Sequence, residues 1–215
     1  MEQIADFRKC TNRIKESPYY WVGLWVKNNI PSYLESFEDS ISQGQYDSKK
    51  WIIDELSKIM VVHPKLHVDV LGSWFAFPFV EMISSILQIK QIDLFDLDEN
   101  CHRIATQYIN HFDFPFRIVQ FKDAFERREL RRRHIVFNTS SEHMPDTLNL
   151  KSFYKSYPTG PLLVIQSNNY FELNDHINCV NSEDELIEKN NIKTVFYKGK
   201  QSLPLYDRFM VIGRW

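Results

Sequence analysis

VDVLGSWFAFPF, residues 68–79, decides how the chain is read. The segment opens as a short apolar strand and breaks at Gly72-Ser73. A helix is expected soon after the break. Strand, glycine turn and helix is how many proteins hold a nucleotide-like cofactor, because the helix start presents unpaired N–H groups. Such turns usually carry two or three glycines. This one carries a single glycine and then Trp74, Phe75 and Phe77, far more aromatic than an ordinary turn.

Working outward, short apolar runs alternate with helical segments from residue 66 onward. Strands are expected over 66–72, 91–95, 116–122, 133–138 and 161–166. Helices are expected in FPFVEMISSILQI, ENCHRIATQYINHF, TLNLKSFYKSY (capped by Thr147 or Asp146) and SEDELIEKN (capped by Ser182). IKTVFYKGK and LYDRFMVIGRW suit an antiparallel pair at a sheet edge. Such alternation predicts an α/β fold, a Rossmann-like and mostly parallel sheet with helices on both faces. Right-handed crossovers bring the carboxyl ends of the strands to one rim, where ligands bind in open α/β sheets.

Polar residues gather at all five strand ends. They are Gly72 and Ser73; Asp96 and Asp98; Asp123 with Ala124; Asn138 to His143; and Gln166 to Asn169, with Asp175 and His176 soon after. Asp, Asn and Ser also cap helices and form turns. Their agreement across five ends, each following an apolar strand, points to a site.

The order of these segments resembles a class I S-adenosylmethionine-dependent methyltransferase over residues 66–215. VDVLGSWFAF stands in place of the glycine-rich first loop, IDLFDLDENC in place of the ribose-binding acid, FKDA near the adenine, and IVFNTSSEHM beside the transferred methyl. NTSSEHM and QSNNYFELNDHINCV also resemble small methyltransferase-like proteins, phage-encoded ones among them. The resemblance implies a seven-stranded sheet with an antiparallel last strand and S-adenosylmethionine as cofactor. It implies Asp98, then Asp96, as the ribose acid, since a carboxylate can accept from two hydroxyls. Asp123 and Ala124 would serve the adenine. Gly72 and Ser73 would offer backbone N–H groups to the methionine carboxylate, and Trp74 and Phe75 would wall the sulfonium, a cation that aromatic faces attract. Asn138 and Ser140 would line the cleft. Glu142, His143 and His176 are candidate proton acceptors, and Asn168 and Asn169 candidate acceptor-binding groups. The sequence departs from the family at Val70, where an acid is usual, and at Trp74 and Ala76, where glycines are usual.

Residues 1–60 read as a helical extension, a cap over the rim or a homo-oligomer contact, with residues 61–215 as the main domain. In DSKKWIIDELSKIM, Asp47 and Ser48 are the expected N-caps, and Lys49 and Gln45 are weak cofactor candidates. RRELRRR, Arg127 to Arg133, is read as a solvated connector or as a contact for an acidic or nucleic-acid partner. A formal net charge of -2 excludes a chain that is basic overall. Cys10, Cys101 and Cys179 show no metal spacing and read as free thiols. No metal is expected. With no membrane-length apolar run and no signal-peptide core in MEQIADFRKC, a cytoplasmic protein is expected. GSWFAF fails the GxGxxG test of a nicotinamide enzyme. Two readings remain, an active methyltransferase on an unidentified acceptor and an inactive relative serving an assembly.

Overall fold

Strands buried on both faces read as near-continuous apolar runs, and four of the five strand runs picked out above form the middle of one sheet, with 116–122 at its edge. The computed structural model describes residues 18–60, 65–126, 132–154 and 160–215. Three helices come first, α1 (Pro18–Asn29), α2 (Leu34–Ser40) and α3 (Gln43–Ile59). Then follow β1 (Leu66–Leu71), α4 (Phe79–Ile86), β2 (Ile89–Phe95), α5 (Glu99–His111), β3 (Arg117–Phe121), β4 (Ile135–Asn138), β5 (Leu162–Asn168), α6 (Glu183–Lys189), β6 (Thr194–Ser202) and β7 (Asp207–Arg214). The seven strands lie in the order β3-β2-β1-β4-β5-β7-β6, and only β7 runs against its neighbours. This is the expected Rossmann-like sheet with an antiparallel last strand.

Alternation along the strands sends side chains to two cores. Val68, Val70, Ile135, Phe137 and Val164 face a large core shared with α1 to α5. Leu71, Val136, Leu163 and Ile165 face a second core closed by α6 and the 3-10 stretch Thr147–Phe153. The N-terminal helices join the first core through Val22, Val26, Phe37, Ile52 and Leu56. At roughly 1.5–3 kcal/mol for each fully buried aliphatic side chain, that contact fastens the extension to the sheet. Among the described residues no helix is long and apolar enough to cross a membrane.

Several local expectations are corrected. The N-cap of α3 is Ser42, whose Oγ accepts from the Gln45 N–H, so Asp47 and Ser48 lie inside the helix. Gly44 is tolerated because it falls in the first turn. TLNLKSF coils as a 3-10 stretch instead of an α-helix; Lys155 to Tyr157 lie outside the described residues. Arg127 to Leu130 and Arg131 also lie outside them, while Arg132 is exposed.

Arg133 is neither solvated nor free for an outside partner. Its guanidinium is buried and forks between two carboxylates, donating from Nε to Asp69 Oδ1 and from Nη2 to Asp93 Oδ2. Asp69 and Asp93 are fully buried and lie opposite each other in the β1–β2 register. The Tyr154 hydroxyl donates to Asp69 at 3.0 Å, and the Gln91 amide to Asp93 at 2.6 Å.

Candidate active site at the carboxyl rim

The loop after β1 holds three residues at positive φ: Gly72 at 57°, Trp74 at 51° and Ala76 at 69°. For Trp and Ala this left-handed backbone costs about 1–2 kcal/mol each, so hydrogen bonds must hold it. The Ser73 N–H donates to the Phe95 carbonyl at 2.8 Å and the Trp74 N–H to Asp96 Oδ2 at 2.7 Å. The Ala76 N–H donates back to the Ser73 carbonyl at 2.8 Å, and the Trp74 indole N–H reaches Ser36 of α2 at 3.2 Å. Ser73 therefore has no N–H left for a ligand, because its donor closes the loop against β2. Phe75 is fully buried between Trp74 and Phe77, with ring centroids 5.1 and 5.8 Å away. It belongs to the core and supports the loop from below; Trp74, half-buried, stays at the rim.

Asp96 joins two strand ends. One carboxylate oxygen takes the Trp74 N–H, the other the Asp98 N–H at 3.0 Å, and its own N–H donates to the Phe121 carbonyl at 3.1 Å. Desolvation raises its pKa above the usual carboxylate range, opposed by those backbone donors. Asp98 is the N-cap of α5. Its Oδ1 accepts from the Asn100 N–H at 2.8 Å and its Oδ2 from the Tyr33 hydroxyl, which the extension brings across the rim. That bond to Asp98 holds the Tyr33 pKa above normal. Asp123 accepts from the Phe125 N–H at 2.7 Å, and Ala124 is buried in the second core. Gly72, Asp96, Asp98 and Asp123 thus lie on adjoining strand ends.

The loops after β4 and β5 form the other half of the rim. Asn138 is fully buried and ties Thr147 at 2.8 Å and the Ser140 N–H at 3.3 Å. A Cβ on Gly72 would stand 2.8 Å from Met144 Cε and 3.6 Å from Ser140 Cβ, so the first loop abuts this one. Replacing Gly72 with alanine is expected to cost about 1–2 kcal/mol in urea denaturation, from left-handed strain plus displacement of the Met144 methyl.

Between Ser140 and Met144 sit Glu142, buried to 3% exposure, and His143, which is exposed. His176, from the loop after β5, meets His143 edge-on with ring centroids 4.5 Å apart. One donor atom each from Glu142, His143 and His176 lies within 4.8 Å of the others. Topology thus brings together the three residues expected to move protons. Asn168 is buried, giving its amide to Glu142 Oε1 at 2.7 Å and its carbonyl to the Tyr170 N–H at 2.9 Å. Asn169 Oδ1 accepts from the Asp207 N–H at 2.7 Å. Both are occupied in shaping the loop.

Behind Glu142 lie groups to which sequence reasoning gave little or no weight. Ser48 donates to Gln166 Oε1 at 3.1 Å, and Arg208 Nη1 donates to Ser48 Oγ at 3.2 Å. Lys49 is buried, with its ammonium donating to Gln45 Oε1 at 3.3 Å. Burial and the nearby Arg208 charge lower its pKa to about 7, against a smaller opposing pull from Glu142. Arg208 could have been suspected as a charge at the start of an otherwise apolar strand. Ser48 reads in the sequence only as an N-cap, which the structure moves to Ser42. A depression of about 200 Å³ opens beside α5 and β3, lined by Glu99, His102, Gln120, Phe121 and Lys122. It is small for a cofactor and includes none of the expected site residues.

No family model and no curated protein sequence matches the chain. Solved structures do. A magnesium protoporphyrin IX methyltransferase from Synechocystis PCC 6803, with S-adenosylmethionine bound, aligns at a TM-score of 0.62 and 11% identity, covering 93% of this chain and 98% of its own. The fold is that of the class I methyltransferases. An Aquifex aeolicus S-adenosylmethionine-dependent methyltransferase shares this methyltransferase fold at a TM-score of 0.52 and 15% identity, over 75% and 88% of the two chains. So does the cyclopropane synthase MmaA2 of Mycobacterium tuberculosis, at 0.55 and 9%, over 76% and 82%. Identities this low carry the fold and leave the reaction to be argued from the site.

Proposed function

We propose that this chain transfers a methyl group from S-adenosylmethionine to an acceptor held over β4 and β5. The observation that carries the reading is the meeting of the Gly72 loop, Asp96, Asp98 and Asp123 along one rim of this sheet. The groups present suit the nucleoside end of the cofactor. Asp98 already accepts a hydroxyl hydrogen from Tyr33, the bond a ribose hydroxyl would make. Asp96 holds the loops in register and shares the ribose. Leu97, 68% exposed between the two acids, offers an apolar surface to a planar base, and Asp123 stands at the end of the neighbouring strand β3. The amino-acid end is served differently from the family pattern. The amides of Ser73, Trp74 and Ala76 are bonded internally, and the Met144 methyl fills the space beside Gly72. A methionine side chain can swing aside, and Trp74 then walls the sulfonium side.

The bound cofactor supplies an activated methyl on a cationic sulfur. The protein supplies position, exclusion of water and a place for the acceptor's proton. Glu142, His143 and His176 are the groups that would take that proton. Asn138, Ser140, Asn168 and Asn169 fix the loops that carry them. The N-terminal helices act as a cap, with Tyr33 and Ser36 touching the rim. Buried free thiols at Cys101 and Cys179 fit a reducing, cytoplasmic setting.

Thermal denaturation with S-adenosylmethionine tests the reading. A ligand present at a hundredfold excess over its Kd adds about 2.7 kcal/mol to the folded state, a rise of several degrees. Asp98→Asn keeps an N-cap, since Asn caps as well as Asp. It is expected to weaken cofactor binding about tenfold or more through loss of charge-assisted bonds. A wild-type melting point unmoved by millimolar cofactor would favour the inactive, assembly-bound reading.

A further inference from the structure

We infer that Glu142, His143 and His176 form a binding site for one divalent first-row transition cation of the Zn2+ or Co2+ kind. Three independent observations meet there. First, one donor atom from each side chain lies within 4.8 Å of the other two. Ligand atoms on a tetrahedral zinc ion sit about 3.4 Å apart, so rotamer adjustments of about an ångström close the set.

Second, the Nδ1 of each imidazole is held by an acceptor. His143 Nδ1 faces the Asp175 carbonyl and its carboxylate, each at 3.3 Å, and His176 Nδ1 faces the Tyr170 carbonyl at 2.8 Å. A carbonyl oxygen only accepts, so Nδ1 carries the hydrogen in each ring and Nε2 keeps the lone pair. Backbone or carboxylate acceptors on the far nitrogen are how metal-binding histidines are usually held.

Third, Glu142 is buried and half satisfied. Oε1 takes the Asn168 amide, while Oε2 is buried with no hydrogen-bond partner among the described residues. The neighbouring Lys49 ammonium is turned to Gln45. A buried carboxylate oxygen without a donor costs several kcal/mol unless a charge meets it, and a cation is such a charge.

Two nitrogens and one carboxylate oxygen suit zinc-like ions better than Mg2+ or Ca2+, which favour all-oxygen shells. Three protein ligands leave a position open, and exposed His143 gives entry from solvent. Cys179 is not the fourth ligand. Its Sγ lies 3.6 Å from His176 Nδ1, on the side of the ring away from Nε2. An ion here would lower the pKa of an acceptor hydroxyl or a bound water, replacing direct proton removal by the side chains. That use rests on the proposed methyl transfer; binding of the ion does not.

The test is titration of the untagged, chelator-treated full chain with Co2+, read by its visible ligand-field band, followed by displacement with Zn2+ in a calorimeter. One ion per chain is expected, with affinity tenfold or more weaker in His143→Ala, His176→Ala and Glu142→Gln, and unchanged in Cys179→Ser and His111→Ala. His143 is exposed, so its variant tests the site with the fold intact. Absence of stoichiometric binding, or binding that survives all three ligand substitutions, overturns the site. Metal binding is measured without S-adenosylmethionine, and the cofactor melting shift without metal. Loss of the first alone therefore overturns the metal site, and loss of the second alone overturns the methyl-transfer reading.

Discussion

Arg133→Ala is expected to destabilise the protein by about 3–5 kcal/mol, the range for breaking a buried ion pair by removing one partner. The substitution leaves Asp69 and Asp93, both fully buried and paired in the β1–β2 register, facing each other without the guanidinium that bridges them. The donors that remain to them include the Tyr154 hydroxyl and the Gln91 amide, neither of which carries a charge. For a chain of this length the loss corresponds to a fall in Tm of roughly 10 °C. Arg133→Lys is expected to fall between the two, since an ammonium cannot fork to both carboxylates as a planar guanidinium does. Thermal unfolding followed by circular dichroism reads both. If Arg133→Ala stays within about 1 kcal/mol of wild type, the triad is not what holds β1, β2 and the start of β4 together.

Lys49→Met should stabilise the protein, and by an amount that depends on pH. The Lys49 pKa is lowered from 10.5 to about 7, chiefly by burial and then by the Arg208 charge. Below pH 7 both the folded and the unfolded chain carry the proton, and the folded state bears the whole cost of a buried ammonium. Between about 7 and 10.5 the unfolded chain binds the proton and the folded chain does not, so wild-type stability gains with rising pH. Each pH unit of that interval is worth about 1.4 kcal/mol, which puts the cost at low pH on the order of 5 kcal/mol. Lys49→Met removes it. Its advantage in denaturant melts is expected to be largest at pH 6 and to shrink steadily towards pH 10. A difference from wild type that is constant with pH would show that Lys49 is not held under this strain.

Such a lysine is hard to find from the chain alone. In DSKKWIIDELSKIM, Lys49 and Lys50 look interchangeable. The helix starts earlier than its Asp and Ser suggest, at Ser42, and the stripe that faces the sheet then includes Ser48, Lys49, Ile52 and Leu56. Lys50 points outward to Asp54. Arg133 was hidden in the same way. Inside RRELRRR it reads as one of five solvated arginines, and only the partners waiting on β1 and β2 make it structural. Asp69 and Asp93 themselves sit inside apolar strands, where an acid signals a buried partner without saying which.

The candidate site was more legible. The acids at 96, 98 and 123 and the polar ends of β4 and β5 stood out because buried strands must end where polar residues begin. Their internal occupation was not visible. That Ser73 and Trp74 spend their amides on β2, and that Asn168 supports Glu142, depends on which strands are neighbours and how the loops fold back.

Local pattern alone established the number, order and type of the sheet elements, the polar rim and the closing hairpin, because the periodicity of apolar residues along a chain reflects the face each one must bury. Tertiary structure decided the rest. The order β3-β2-β1-β4-β5-β7-β6 set Arg133 against Asp69 and Asp93, Lys49 behind Glu142, and His176 beside His143, a residue 33 positions earlier. A charge or an imidazole takes its character from the groups within a few ångströms of it, and those groups come from segments that are remote in the chain.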